Sequence, residues 1–413
     1  MKLLKSLLVL AIVGVLMTGA MVPLAVSQSR RQPPTTTEKK NKRPDPAKEG
    51  EQKPEPLPPD IVAKPPQDLE KITIGTQLVN VDAVVYHKKS GQIMAGLKKG
   101  NFAIFKDGVQ QNITNFSTPE APITVAMVVE FSKWTEMFGY YGNGGYDPGT
   151  YEVIRPAAMF LSQFIKPPDD YASVVAFDIR PTPLTDFTND PARLSQVINL
   201  LLRNQPAFRE TNLFDALKFV LVGGRGDSVV LEDSKSRKSD YSGLIAVQGR
   251  RRAVILIASG IDTFSKINYG EARKVLQNSG VPVYIIGTAG LFKKKYGDQL
   301  PATDGLGGSP GRMTFLQAEN ALQTFAKETG GVYYPVTFDG ELPKVLGSIN
   351  ALLRSQYSLG FNPGDEHDGK QHKLLVKVDI DGDGTYDDKE FVVQARQFYN
   401  APKPDGSKPA GSQ

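Results

Sequence analysis

The chain has 413 residues, no cysteine, 40% hydrophobic residues and a formal net charge of +5. Thiol chemistry, disulfides and lipid attachment through an N-terminal cysteine are excluded, while the length allows a full-sized core in about two domains. Lys2 and Lys5, with ten basic against eight acidic residues in 28–71, account for all but +1 of the charge, so the part from Ile72 onward has no electrostatic footprint for nucleic acid.

In chain order, Lys2 and Lys5 precede an apolar run from Leu7 to Val26 that is broken by Pro23 and followed by the small residues Ala25 and Ser27. This is the layout of a secretory signal over 1–27, cleaved after Ser27, and it places the rest of the chain in the periplasm, cell envelope or outside. An uncleaved anchor is the alternative, because the run approaches spanning length and Arg30 and Arg31 follow it. Membrane contact would then be through this segment alone. Residues 28–71 are rich in Pro, Lys and Glu and nearly free of large apolar side chains, which predicts a disordered, semi-rigid linker.

From 72 to 118 the period is two. Leu78–Tyr86 alternates as a strand, Lys89-Ser-Gly91 reads as a turn, and Phe102–Phe105 leads into a turn at Lys106-Asp-Gly108. Residues 119–354 alternate strands (Ile123–Val129, Ala172–Phe177, Arg252–Ala258, Val281–Gly287, Val332–Pro335) with helices (Pro156–Ile165, Pro191–Arg203, Leu213–Val220, Tyr269–Asn278, Phe315–Glu328, Glu341–Arg354). That alternation predicts an α/β fold, a doubly wound and mostly parallel sheet with helices on both faces. The polar stretches 223–251 and 290–312 read as long surface loops. Residues 355–399 return to strands at Gln356–Phe361, His372–Val378 and Glu390–Arg396. Neither β segment alone makes a convincing sandwich, so 355–399 is expected to pair with 72–118 as one β domain into which the α/β domain is inserted. The tail 400–413 is expected to be disordered.

The strand Ile123–Val129 runs into Glu130-Phe-Ser-Lys-Trp134, where open α/β sheets place ligand chemistry. This junction and the phrases Val81-Asp-Ala-Val-Val85, Gly96-Leu97, Asn101-Phe102, Asp107-Gly108, Phe116-Ser117, Glu210–Leu217, Leu256–Asp262 and Ser355–Gly360 together resemble the exported von Willebrand factor A-related proteins of the acidobacterial type. The resemblance covers roughly 72–399 by architecture and implies protein or ligand recognition, not catalysis. It also implies a metal-ion-dependent adhesion site of the form Asp-x-Ser-x-Ser. Here Ser132 matches the first serine and Thr211 the threonine of the second loop, but Glu130 replaces Asp, Trp134 replaces the second serine, and Ser259 stands where a third-loop Asp is usual. Asp262 lies three residues on, and Asp215 is near Thr211. Two hydroxyls and one displaced carboxylate make a poor Mg²⁺ site, so the expectation is a degenerate site without magnesium whose partner is a protein or glycan. Tyr140, Tyr141 and Tyr146 lie in a Tyr/Gly/Asn-rich stretch that reads either as an aromatic rim beside Trp134 or as a flexible insertion.

Asp379, Asp381, Asp383, Thr385 (through its carbonyl), Asp387 and Glu390 fall at the ligand positions of a twelve-residue calcium loop, with Gly384 at the sharp turn. Strand-like flanks replace the helices of an EF-hand. Ca²⁺ is therefore expected to lock a hairpin, the alternative being an acidic turn without an ion. Arg225-Gly-Asp-Ser228 is short enough to recur by chance, and His87, His367 and His372 are isolated. With no nucleophile elbow, phosphate-binding glycine loop or zinc spacing, the protein is not expected to be an enzyme. The rival to a recognition module is a structural envelope component whose top face binds nothing.

Overall fold

The computed structural model describes residues 78–133, 149–203, 206, 208–227, 238–247, 250–305, 310–364 and 368–402. The expectations for the signal segment, for the linker and for 72–77 lie outside them. Four strands come first: β1 (Val79–His87), β2 (Phe102–Lys106), β3 (Val109–Gln111) and β4 (Ile113–Ser117). The α/β part follows as β5 (Ile123–Glu130), α1 (Gly149–Phe164), β6 (Tyr171–Phe177), β7 (Pro181–Thr188), α2 (Pro191–Arg203) and α3 (Leu213–Val222). It continues with β8 (Gly224–Asp227), β9 (Lys238–Tyr241), β10 (Arg251–Ala258), α4 (Tyr269–Ser279), β11 (Val283–Gly287), α5 (Ala289–Tyr296), α6 (Arg312–Thr329), β12 (Tyr333–Pro335) and α7 (Leu342–Arg354). The last strands are β13 (Tyr357–Phe361), β14 (Gln371–Val378), β15 (Phe391–Ala395) and β16 (Phe398–Asn400).

The central sheet has six strands in the order β12-β11-β10-β5-β6-β7, parallel except for β7. The unbroken apolar run of β5 is explained by burial on both faces. Ile123, Val125 and Met127 pack with Leu161 of α1, Ile198 of α2 and Ile349 of α7, while Ala126 and Val128 pack with Leu217 of α3 and Leu276 of α4. Helix α6 serves both faces, with Phe315 in the first core and Leu322 and Phe325 in the second.

Four sequence expectations are corrected. The 290–312 stretch is not all loop: α5 buries Leu291 and Phe292, and Phe292 stacks on Phe315 at 5.1 Å, an apolar pair that the neighbouring lysines mask in sequence. The 223–251 stretch holds the β8/β9 hairpin, whose Tyr241 is buried against Phe219 and shares a 2.7 Å hydrogen bond with Ser173. Strand β7 went unread because Pro181 and Pro183 argue against a strand, yet proline is tolerated on an edge, which is where β7 lies. Helix α1 also starts earlier than proline's preference for a first turn suggested, leaving Pro156 inside it.

The flanking strands form two four-stranded antiparallel sheets, β15-β1-β13-β4 and β16-β14-β2-β3, around a core that includes Val81, Ile104, Tyr357, Leu359 and Leu374. Residue 400 does not begin a free tail: Asn400 ends β16 and Ala401 is buried. Residues 403–413 lie outside the described residues. The chain leaves these sheets through 118–122 and returns through 355–356, and Arg251 at the start of β10 reaches both links. Its guanidinium, 3% exposed, donates to the carbonyls of Pro119 (2.6 Å), Ala121 (2.7 and 2.9 Å), Leu353 (2.5 Å) and Gln356 (3.4 Å). Across the joint on β1, burial pushes the Asp82 carboxyl up, against a hydrogen bond from Ser358 and the charges of Arg252, Arg251 and Arg396. Arg354, the last residue of α7, pairs with buried Asp170 at 2.5 Å and lies over the Phe164 ring at 4.4 Å.

Candidate functional site

From β5 the chain crosses to β6 on one side, while β10 packs on the other, so the strand order reverses between β5 and β10. Beyond their carboxyl ends lies the crevice where open α/β sheets bind ligands. Glu130 ends β5, and Ser259 is the residue after β10.

The Glu130 carboxylate fills this crevice. One oxygen accepts the Ser132 hydroxyl at 2.7 Å, and the other accepts both the backbone N–H and the hydroxyl of Ser259 at 2.7 Å each. The methylene that Glu has beyond Asp is what carries the carboxylate across to the β10 loop. Glu130 is 2% exposed and Ser132, Thr211 and Ser259 are fully buried. Thr211 donates to the Ile261 carbonyl at 2.6 Å, and the Ile261 N–H donates to the Ser259 hydroxyl at 3.3 Å, so the three loops form one connected network. A cation site needs oxygen lone pairs converging on a common centre. Here the Ser132 and Ser259 hydroxyls instead spend their protons on the carboxylate. Burial pushes the Glu130 carboxyl up, opposed by hydrogen bonds from Ser259 and Ser132.

Glu130→Gln is therefore expected to fold at least as stably as the parent at neutral pH, because Gln keeps an acceptor for the Ser259 N–H without a buried charge. A carboxyl raised in the folded state holds its proton more tightly there than when unfolded, so the parent loses stability as pH rises. The advantage of Glu130→Gln should be absent below the ordinary Glu range, grow as pH rises through it, and level off above the raised value. Urea unfolding at a series of pH values checks this, and a pH-independent difference would sink it.

Of the remaining predicted residues, Asp262 and Asp215 are held by hydrogen bonds of their own. Asp262 accepts the Phe214 N–H at 3.3 Å and the Ser265 hydroxyl at 2.5 Å, while Asp215 accepts the N–H groups of Lys266 and Ile267 at 3.0 and 3.3 Å. Both carboxylates shape the loop after β10. Trp134, Tyr140, Tyr141 and Tyr146 lie outside the described residues. Sequence reading missed Thr263, whose hydroxyl accepts the Thr211 N–H at 2.9 Å, and Ser265, whose hydroxyl also accepts the N–H groups of Phe214 and Asp215. The signal was local: a Thr and a Ser one and three residues after Asp262. Phe208 and Phe264 are exposed on the same loops, Phe264 at 58%.

In the second candidate site, Asp379, Asp381 and Asp387 bring carboxylate oxygens within 4.8 Å of one another. That spacing fits a shared Ca²⁺, since it is about twice a Ca–O distance. Amides set it up: Asp379 accepts from Gly382 and Gly384 at 2.7 and 2.9 Å, and Asp387 accepts from Ile380 at 2.7 Å. Burial works against the Asp379 charge, but hydrogen bonds from the Gly384 and Gly382 amides, with those from Asp381 and the Asp383 amide, together hold that carboxyl below its ordinary range. Asp383 is turned onto the Thr385 N–H at 2.7 Å, and neither it nor Glu390 belongs to the trio. The expected hairpin is corrected: β14 and β15 belong to different sheets, so 379–390 crosses from one sheet to the other.

A cavity of about 1030 Å³ lies at neither place but at the seam between α4 and the β strands. There Gln277, Asn278, Gln371 and Asn400 hydrogen-bond one another across the joint. Among the described residues no helix is long and apolar enough to cross a membrane.

No family model and no curated protein matches the chain. Solved structures similar to it include the PilB minor pilin from Streptococcus sanguinis (13% identity over 57% of this chain and 62% of that one, TM-score 0.39). Proximal thread matrix protein 1 from the mussel byssus is similar at 12% identity over 60% of this chain and 50% of that one, TM-score 0.38. The vWF domain of the type V pili tip protein Mfa5 from Porphyromonas gingivalis is similar at 14% identity over 57% and 95%, TM-score 0.34. The chain thus spans 62% of the pilin and half of the byssus protein. Strand order and residues, not these distant likenesses, define the class: a mixed α/β protein with a six-stranded, mostly parallel sheet and a polar network at its switch point.

Proposed function

We propose that this is an exported, non-catalytic recognition module of the von Willebrand factor A type, built on a β domain that the α/β domain interrupts. It takes a protein or glycan partner through the loops after β5, before α3 and after β10, without Mg²⁺. The observation that carries this reading is the Glu130 carboxylate, which occupies the switch-point crevice and engages Ser132 and Ser259, leaving the crevice rim for contact. Exposed Phe208 and Phe264 support an apolar contribution from that rim. Trp134, Tyr140 and Tyr141 are proposed to extend it. Ca²⁺ is proposed at Asp379, Asp381 and Asp387 in a structural role.

A module that binds nothing on this face is the rival, and the self-satisfied network around Glu130 suits it too. Retention of the protein on immobilised cell-envelope material separates the two, with parallel samples stripped of protein or of glycan. The parent should be retained, Mg²⁺ should make no difference, and a variant with Trp134, Tyr140, Tyr141 and Phe264 changed to Ala should lose at least about tenfold, the loss of one or two contact anchors. Equal retention of parent and variant would leave the structural role.

A further inference from the structure

Between the loop after β10 and helix α6 is a socket of about 420 Å³. Phe214 and Tyr269 line it with aromatic surface, Ala318 and Ala321 keep the α6 side shallow, and Gln317 adds a polar group. Asp262 is the one charged residue among those lining it. The loop lies directly on α6 because residue 260 is glycine: its φ is +84°, and a Cβ there would meet Leu322 at 2.8 Å.

We propose that this socket receives a lysine or arginine side chain from a protein partner, which deepens the recognition reading above and rests on it. Charge gives the sign. Asp262 on the loop after β10 and Asp215 in the first turn of α3 both hold that loop, and neither has an ion-pair partner among the described residues. The two side-chain hydrogen bonds of Asp262 with the Phe214 N–H and the Ser265 hydroxyl fall on one oxygen. Burial, with the Asp215 charge, pushes the Asp262 carboxyl up, opposed by the Ser265 hydroxyl and Phe214 amide, so a cation arriving there relieves an unfavourable charge. Ring chemistry agrees with the sign, since a cation within about 6 Å of an aromatic face is attracted to it. A long aliphatic stem also covers apolar lining while its head stays with the carboxylate. Size selects the partner class: the cavity is at the small end of the ligand-site range, suiting one side chain and not a run of sugar rings.

The test uses the full chain and three small probes, N-acetyl-arginine amide, N-acetyl-lysine amide and the neutral N-acetyl-glutamine amide, followed by NMR at the amides of Gly260, Ala318 and Ala321. Saturable shifts with the two cationic probes, at least tenfold weaker with the neutral one, are expected. Asp262→Asn should weaken the response at least tenfold. Because Asp262 also holds the Phe214 N–H, Ala321→Leu provides a second variant that fills the socket and leaves the loop intact, and it should abolish the response. Equal shifts with the neutral probe, no shifts, or a response surviving both variants would overturn the proposal. Envelope retention in the same samples keeps the two readings apart. Retention that depends on the aromatic rim with no cation response leaves recognition standing and sinks the socket. A cation response in a protein that nothing retains supports the socket and sinks the rim.

Discussion

Arg251→Met is expected to lower the unfolding free energy by about 4 kcal/mol, within the range for removing one partner from a buried charged network. The five hydrogen bonds from this side chain end on the carbonyls of Pro119 and Ala121 in the entry link, of Leu353 in the last turn of α7 and of Gln356 in the exit link. A thioether of similar length fills the space but donates nothing, so several buried carbonyls lose their partner at once. The nearby Asp82 carboxyl, already pushed up by burial, also loses one of three favourable cationic neighbours. Arg251→Lys should recover less than half of the loss, because an ammonium is a single point with three donors and does not span the two links as a planar guanidinium does. Urea unfolding followed separately by fluorescence and by far-UV dichroism measures the effect. A loss below about 1 kcal/mol, a value typical of surface positions, would show that the links are held by something else. If Arg251 ties the domains, the variant should also unfold in two steps where the parent unfolds in one.

Much of the fold was legible because burial on both faces writes itself into sequence. The runs at Ile123–Val129 and Arg252–Ala258 are apolar without alternation, and the helices between them repeat at helical spacing, which is what a parallel sheet requires. What was missed was short or contradicted by local chemistry. Strand β7 carries two prolines, α5 carries three consecutive lysines, and β8 and β9 are four residues each. In all three cases tertiary contacts decide the outcome, an edge position for β7, core packing of Phe292 for α5 and the buried Tyr241 for β8 and β9, and no window of sequence contains them. The flanking segments announced strands through their period of two, but which strand lies beside which depends on contacts nearly three hundred residues apart, such as Val81 opposite Leu359.

The site divides along the same line. That Glu130, Ser132, Thr211 and Ser259 belong together is what the resemblance implies: Glu130, Ser132 and Ser259 lie at the carboxyl ends of the central strands β5 and β10, and Thr211 precedes α3. That the longer carboxylate reaches Ser259 could not be read, because it depends on the distance between two strands rather than on any motif. The sequence places Asp262 in the same cluster, whereas the hydroxyl of Ser265 ties it to its own loop.

Calcium at micromolar to millimolar concentration is expected to raise the melting temperature of the chelator-stripped protein by about 5–10 °C. Strand β14 ends at Val378 in one sheet, and β15 begins at Phe391 in the other. An ion shared by Asp379, Asp381 and Asp387 would staple the turn that connects the two layers, a larger gain than closing a hairpin whose strands already pair. The amides of Gly382, Gly384 and Ile380 hold two of the trio, Asp379 and Asp387, in place. An ion that binds the folded form alone contributes about 2.7 kcal/mol at a hundred times its dissociation constant, and for a domain of this size each kcal/mol moves the midpoint by about 2–4 °C. Mg²⁺ should not substitute, because it demands a tighter octahedral shell and gives up its water reluctantly. Asp381→Ala should abolish the shift while leaving the ion-free midpoint nearly unchanged, since the Asp383 N–H reaches that carboxylate only at 3.2 Å. Asp383→Ala should keep most of the shift, because its carboxylate serves the Thr385 turn and stands outside the trio. Calorimetric titration with the two ions and the two variants decides the matter. A single Ca²⁺ site lost only with Asp381 fits the sheet-to-sheet staple, equal loss with Asp383 would restore the full twelve-residue ligand set, and no heat with either ion would leave the loop as an amide-stabilised acidic turn.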